Sequence, residues 1–334
     1  MSTHEDNIKK EFEEAEGITP EVQTTKVNQE GTVTELGKVD VTRGLGIISP
    51  DDPEIRRINE AAGYISLDLT ELPSKGRFYR NDFKLSLRAA RVGEIRDFST
   101  IDENNIKDVD EKLNAILVSC ARVMYGNTRG SYKDILEEDR IYVILKIKEL
   151  TFKDGENKLM MPVKERKCSS GVCESQESVE LRTDNLQFHE EDELLSKYYD
   201  EESRCYVIPT KSHGEIIMAP PSIGVMRAIT DYIRKREEDG LKWDESSLQI
   251  LPYVKREWRG FTDKEIFAAV TEFQGWNSGK FSVVYRLAEK MRLGVKPELN
   301  YPCQGCGAEV TVPLTFPGGV KALFVISDIS SELL

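Results

Sequence analysis

Two cysteine pairs, Cys168-Ser169-Ser170-Gly171-Val172-Cys173 and Cys303-Gln304-Gly305-Cys306-Gly307, stand with 129 residues between them. Two thiolates on one tight turn can point at a single tetrahedral metal ion at about 2.3 Å, and a glycine lets the backbone close around it. Each pair alone is half a site. If both halves serve one zinc, the chain between them must leave and return to the same place, which predicts a four-cysteine, zinc-ribbon-like element interrupted by an insertion. Such closure is feasible, because loop-closure entropy grows only logarithmically with length. Four thiolates fill the tetrahedron, so a zinc held by Cys168, Cys173, Cys303 and Cys306 would be structural rather than catalytic. The alternative reading is four small, partly exposed residues in turns.

The flanking sequence is consistent with hairpins on both sides. Leu159, Met161 and Val163 precede the first pair and Val179 and Leu181 follow it, so the stretch from Thr151 to Met218 predicts a small antiparallel sheet; Val310, Val312 and Leu314 alternate after the second pair. Between them Pro220-Pro221 open a helical block, since proline is tolerated at a helix start but not inside one. Ile223, Met226, Ile229 and Ile233 form one apolar stripe. Thr262 and Glu265 have capping-box spacing before Ile266, Phe267 and Val270. Phe281, Val284, Tyr285, Leu287, Ala288 and Met291 predict a further helix that Gly294 ends. Trp243, Trp258 and Trp276 in this block are either interface anchors or core residues.

Upstream, Ile65, Leu67 and Leu69 alternate with polar residues, and a second alternating run, Phe83, Leu85 and Leu87, follows a turn-rich segment, which reads as a β-hairpin. Helical spacing begins at Gly93-Glu94-Ile95. From Asp110 to Met124 it places Leu113, Ile116, Leu117, Cys120 and Met124 on one face. A further helix is expected from about Tyr132 to Leu150, its stretch Ile141 to Ile147 apolar enough to be buried on most sides. Residues 1–60 have few periodic apolar positions and cannot offset the roughly 1–2 kcal/mol per residue of backbone ordering, so a flexible arm is expected. Its alternating stretch Gly31 to Leu36 could add to a neighbour's sheet edge. The fold class is therefore α+β: an arm (1–60), an α+β domain (61–150), a β-rich zinc-ribbon half (151–219), an inserted helical subdomain (220–296), and a second ribbon half with a C-terminal tail (297–334).

With 46 Lys and Arg against 59 Asp and Glu, the net charge is -13. That opposes binding of duplex nucleic acid, whose affinity rests on clustered cations. No run reaches the roughly 18 apolar residues of a membrane span, and the N-terminus lacks a signal-peptide core, so a reducing cytoplasm is the expected compartment. Six cysteines in 334 residues are too sparse for a disulfide scaffold. No phosphate loop, dinucleotide fingerprint, nucleophile elbow or His-Glu-x-x-His helix is present. His189, in an acidic loop, is either a metal ligand or a solvated surface histidine. His213 reads as a turn residue, His4 belongs to the arm, and Cys120 and Cys205 read as core thiols. The chain is expected not to be an enzyme.

Taken in order, Leu72-Pro73-Ser74-Lys75-Gly76-Arg77-Phe78-Tyr79, the Leu85 to Arg88 strand, Val92-Gly93-Glu94-Ile95, and Glu138-Asp139-Arg140 leading into Ile141 to Leu150 and Thr151-Phe152 resemble the baseplate protein family of T4-type contractile-tailed phages. The family's paired cysteine motifs look like Cys168/Cys173 and Cys303/Cys306. The similarity spans about residues 64 to 324. It departs from the simplest pattern in the four-residue gap of the first pair and in the long N-terminal arm. The resemblance implies a structural or assembly protein of the tail baseplate, usually of the central hub, with no enzymatic activity. It also implies other baseplate and tail proteins as partners in a large hetero-oligomeric assembly, a place in the virion baseplate, and a passage through the host cytoplasm during assembly. An assembly factor absent from the mature virion and a zinc-ribbon nucleic-acid adaptor are the alternatives.

Overall fold

Strands far apart in sequence pair with one another and set the architecture. The computed structural model describes residues 25–27, 33–35, 63–152, 157–162, 178–303, 305–316 and 318–325, which fall into two units, Met1–Ile48 and Ser49–Leu334. In the first unit β1 (Thr25–Val27) pairs antiparallel with β2 (Val33–Glu35), Thr25 standing opposite Glu35. The strand read in Gly31 to Leu36 is thus one arm of a local hairpin. The remainder of the arm expected at 1–60 lies outside the described residues.

The second unit begins with a four-stranded antiparallel sheet in the order β3 (Ile65–Ser66), β4 (Phe83–Leu87), β5 (Ala121–Tyr125) and β6 (Thr128–Arg129). Helices α1 (Val92–Ser99), α2 (Ile106–Cys120) and α3 (Arg140–Thr151) pack with it. Phe83, Leu85, Leu87 and Val123 from the strands join Phe98, Ile116, Leu117, Ile144, Leu145 and Ile147 in one core. Helix α3 is apolar on nearly every side and runs through the middle of that core.

Two expected helices are shorter than their spacing suggested. The stripe read through Met124 stops at Cys120, because Ala121–Tyr125 finds a ladder on β4, with Leu85 opposite Val123. The helix expected from Tyr132 is replaced up to Asp139 by two 3-10 turns, Tyr132–Asp134 and Glu137–Asp139. Between the turns the chain is extended: Leu136 bridges Ser222, and the Ile135 carbonyl accepts from the Ile223 N–H at 2.8 Å, so these backbone groups are engaged outside a helix.

The stretch from Thr151 to Met218, expected as one small sheet, contributes to three. β7 (Met160–Pro162) pairs with β8 (Ser178–Glu180). β9 (Leu186–Phe188) forms one edge of a sheet in the order β14 (Glu309–Pro313), β13 (Val295–Pro302), β9. The third sheet, β10 (Tyr199–Asp200), β11 (Cys205–Thr210) and β12 (Gly214–Met218), packs elsewhere.

Pairing of β9 with β13 sets Val295 opposite Phe188 and Leu299 opposite Leu186, and the His189 N–H donates to the Gly294 carbonyl at 3.0 Å. The two ends of residues 189–294 therefore meet at one neck. The insertion starts before the helices, because the apolar faces of β11 and β12 (Tyr206, Ile208, Ile216, Met218) are buried with Ile266, Phe273, Val284 and Met291 in a second core. That core is built on α4 (Glu193–Ser196), α5 (Ile223–Glu238), α6 (Glu245–Ile250), α7 (Asp263–Gln274) and α8 (Ser278–Lys290). Local sequence starts the long ones: Ser222 caps α5, Thr262 and Glu265 form the expected capping box on α7, and Asn277 caps α8 at 2.8 Å from the Lys280 N–H. Trp258 and Trp276 pack against this core, whereas Trp243 is more than a third exposed.

The described residues thus give a mixed α/β fold of small antiparallel sheets and eight α-helices. Among them no helix is long and apolar enough to cross a membrane.

Candidate functional site

Cys303 follows β13 directly, and Cys306 lies in the turn that leads into β14. The turn is closed by two backbone hydrogen bonds: the Gly307 N–H donates to the Cys303 carbonyl at 2.7 Å, and the Cys303 N–H donates to the Ala308 carbonyl at 2.8 Å. Gly307 has φ +73°, a conformation that a side chain resists. The result is a knuckle with two thiols on one tight turn, Cys303 buried and Cys306 exposed. This donor pair fits one half of a tetrahedral thiolate site. Cys168 and Cys173 lie outside the described residues, in the connection between β7 and β8. The strands flanking both pairs share a core, in which Leu159, Met161, Val179 and Leu181 are buried together with Tyr301, Cys303, Val310 and Val312. Among the described residues alone, no three His, Cys, Asp or Glu side chains come together as a metal-binding group.

The other candidates are dispersed. Cys120 ends α2 in the first core, where burial, reinforced by the Glu94 carboxylate, pushes its thiol up to about 12. Cys205 is buried at the start of β11, donates to the Ser203 carbonyl at 3.0 Å, and is raised by burial too. A thiol held protonated is a poor nucleophile. His189 is at the neck, and the His213 ring stands 3.4 Å from the Asn277 amide. His4 lies outside the described residues.

One arrangement was not legible in the sequence. The loop Leu72 to Tyr79 is inserted between the two cores, with Phe78 packed against both. On one side the Asp139 carboxylate, fully buried, accepts from the Ser74 N–H at 2.9 Å, the Ser74 hydroxyl at 2.6 Å and the Tyr79 hydroxyl at 2.7 Å. Tyr79 in turn accepts from the Leu136 N–H at 3.0 Å. Burial raises Asp139, and the three donors oppose that rise. Facing the insertion, Arg77 pairs with Glu191 and lies 3.8 Å over the Tyr199 ring, while the Tyr206 hydroxyl donates to Glu191 at 2.6 Å. The Arg77 carbonyl accepts from the Tyr199 hydroxyl and, at 3.3 Å, from Arg204.

Glu138 completes the neck. Its carboxylate accepts from the Leu293 N–H at 3.1 Å, and burial pushes it up to about 8. A Cβ on Gly294 would stand 3.3 Å from the Glu138 carbonyl oxygen, so a residue without a side chain suits that contact. These groups tie segments of the chain together; the signals for them in the sequence were the Leu72 to Tyr79 and Glu138-Asp139-Arg140 motifs.

No protein-family model, curated protein or solved structure matches this chain.

Proposed function

We propose that the chain is a non-enzymatic structural component of a contractile phage tail baseplate, a hub subunit that binds other baseplate and tail proteins in a large hetero-oligomeric assembly. One observation carries the reading: the motif segments behind the family resemblance bind one another. Ser74 and Tyr79 hold Asp139, Arg88 holds Glu94 at 2.9 Å, and the Ala90 N–H donates to the Thr151 hydroxyl at 2.9 Å. Side chains used this way fix the segments of the first core to one another, which is what a subunit locked into a larger assembly needs. The acidic surface then selects partners by electrostatic complementarity.

A structural zinc on Cys168, Cys173, Cys303 and Cys306 belongs to the same proposal. It would clamp the β7–β8 and β13–β14 hairpins in a zinc-ribbon-like element at the base of the insertion. Support comes from the knuckle at Cys303 and from the single core that the flanking strands share.

The test is mass spectrometry of purified virions combined with deletion of the coding sequence. The expected result is the chain at a fixed ratio to other tail proteins, and particles without functional baseplates when it is deleted. The same defect with the chain absent from mature virions would make it an assembly factor. Intact, infectious particles without it would overturn the proposal.

A further inference from the structure

The end of α5 and the start of α7 line a groove of about 430 Å³ on the insertion, with Tyr232, Leu241 and Phe267 as its apolar residues. Helix α7 does not need Phe267 for its own packing. Ile266, Ala269, Val270 and Phe273 make up its buried stripe, whereas Phe267 is 57% exposed. Leu241, 46% exposed, is fixed by the turn that ends α5: its N–H donates to the Arg236 carbonyl at 2.7 Å, with Gly240 at φ +66°. Trp243, two residues further on, is also more than a third exposed. Large apolar side chains held in place at an exposed groove mark a contact surface and lose little freedom on binding.

The charges around the groove balance. Lys235, Arg236 and Lys264 are matched by Glu238, Asp239 and Asp263, on a chain of net charge -13. Lys235 pairs with Asp263 at 2.9 Å, Glu238 lies 3.9 Å from Arg234, and Arg236 donates to the Lys242 carbonyl at 2.6 Å. One charge of each sign is left over: among the described residues neither Lys264 nor Asp239 has a hydrogen-bond or ion-pair partner for its side chain. Both oppose the local helix dipole, Lys264 in the first turn of α7 and Asp239 at the C-cap of α5. A carboxylate brought to the first and an ammonium brought to the second would offset both.

We infer that this groove is a two-fold contact between two copies of the chain, in which Phe267 and Leu241 pack against their counterparts and Lys264 of each copy meets Asp239 of the other. In a two-fold contact one patch faces itself, so it must supply both signs of charge, and this rim does. The same balance identifies the occupant. Two molecules of like net charge repel, and they do so least where the facing surfaces are neutral and apolar. A partner of purely acidic or purely basic surface would leave Asp239 or Lys264 facing a like charge. The inference is independent of the baseplate reading.

The test is sedimentation equilibrium of the full chain between about 1 and 200 μM, at about 0.15 M salt so that the net repulsion is screened. A monomer–dimer equilibrium is expected. Phe267→Ser removes an apolar anchor and should weaken it about tenfold or more. Lys264→Glu and Asp239→Lys should each weaken it about tenfold, because each rim pair occurs twice in the contact. An equimolar mixture of these two variants should associate as tightly as the wild type, since each offers the charge that the other lacks. All three positions are exposed, and unchanged melting curves verify the folds. A chain that stays monomeric over the whole range, dimers indifferent to Phe267→Ser, or a mixture no tighter than the separate variants would overturn the inference.

Discussion

Asp139 lies 65 residues from Ser74 in the chain and accepts two hydrogen bonds from it, from the hydroxyl at 2.6 Å and from the backbone N–H at 2.9 Å. With Tyr79 as a third donor, this buried carboxylate is stabilised by oriented dipoles instead of a countercharge. It fastens the loop that carries Phe78 to the turn from which α3 starts. The position of the insertion thus depends on a contact inside the first core.

Asp139→Ala should therefore be among the most destabilising single substitutions in the first core. It leaves the Ser74 N–H, the Ser74 hydroxyl and the Tyr79 hydroxyl without their acceptor, and orphaned buried donors cost about 1–3 kcal/mol each, so a total loss of about 3–5 kcal/mol is expected after partial rearrangement. Urea unfolding should show a lower midpoint with an unchanged slope. Asp139→Asn keeps one acceptor and should lose less. A loss under about 1 kcal/mol for the alanine variant would show that the network does not hold the loop.

Glu138 makes stability depend on pH in the direction opposite to most carboxylates. Burial, helped by repulsion from Asp139 and Glu137, raises it to about 8, whereas an unfolded glutamic acid releases its proton near 4.5. Its favourable contribution is complete below the unfolded value and is lost as pH rises through about 8. Glu138→Gln keeps an acceptor for the Leu293 N–H and removes the titration. Between pH about 5 and 8 the wild type should lose about 2–4 kcal/mol relative to this variant, read from urea midpoints. Glu94 acts in another window: held down to about 2, chiefly by its bond to Arg88, it stabilises above 4.5 and loses that contribution as pH falls. Parallel pH profiles for wild type and Glu138→Gln would contradict the assignment.

Where neighbours a few residues apart decide the structure, the sequence was informative. Ile229 and Ile233 share a helix as spaced, Thr262 and Glu265 cap one another, and the alternation of Phe83, Leu85 and Leu87 marks the buried face of β4. Where distant partners decide, it was not. Met124 fits a helical stripe with Cys120, but β4 supplies a ladder that local spacing cannot reveal. Ile135 and Leu136 look helical until Ser222 and Ile223 take up their backbone groups. The insertion was legible as helices from Pro220, and its true start at His189 depends on Phe188 meeting Val295. Glu137-Glu138-Asp139 falls within the helix expected from about Tyr132 to Leu150, whose spacing gives no sign that Asp139 is buried where three donors of the Leu72 to Tyr79 loop converge on it. Of the candidate metal site, the Cys303 and Cys306 turn was legible from its spacing and its glycine.

The loop between the cores contains two residues in the left-handed region, Lys75 at φ +52° and Gly76 at φ +73°. They should respond differently to substitution. A Cβ at Gly76 would meet the Leu69 Cβ at 2.8 Å as well as an unfavourable backbone angle, so Gly76→Ala should cost about 2 kcal/mol or more. Lys75 is exposed and already pays the backbone strain, so Lys75→Gly should be neutral or stabilising by up to about 1 kcal/mol. Thermal melts of the two variants distinguish them. Equal small shifts would mean that the loop relaxes freely and does not define the junction.

The zinc proposal makes a prediction that separates one end of the molecule from the other. Elemental analysis of the purified chain should find about one zinc, lost in Cys306→Ser, because a single serine in place of a thiolate leaves an incomplete tetrahedron. Tyr301, Cys303, Val310 and Val312 belong to the first core, while the insertion has a core of its own. Chelation should therefore lower the melting temperature and deprotect the amides of β13 and β14 in hydrogen exchange, with those of α5 and α8 changing least. If chelation instead exposes α5 and α8 first, the metal supports the insertion rather than the hairpins. If the protein contains no zinc, the hydrogen bonds around Gly307 are sufficient to form the turn, and the two cysteine pairs are unrelated.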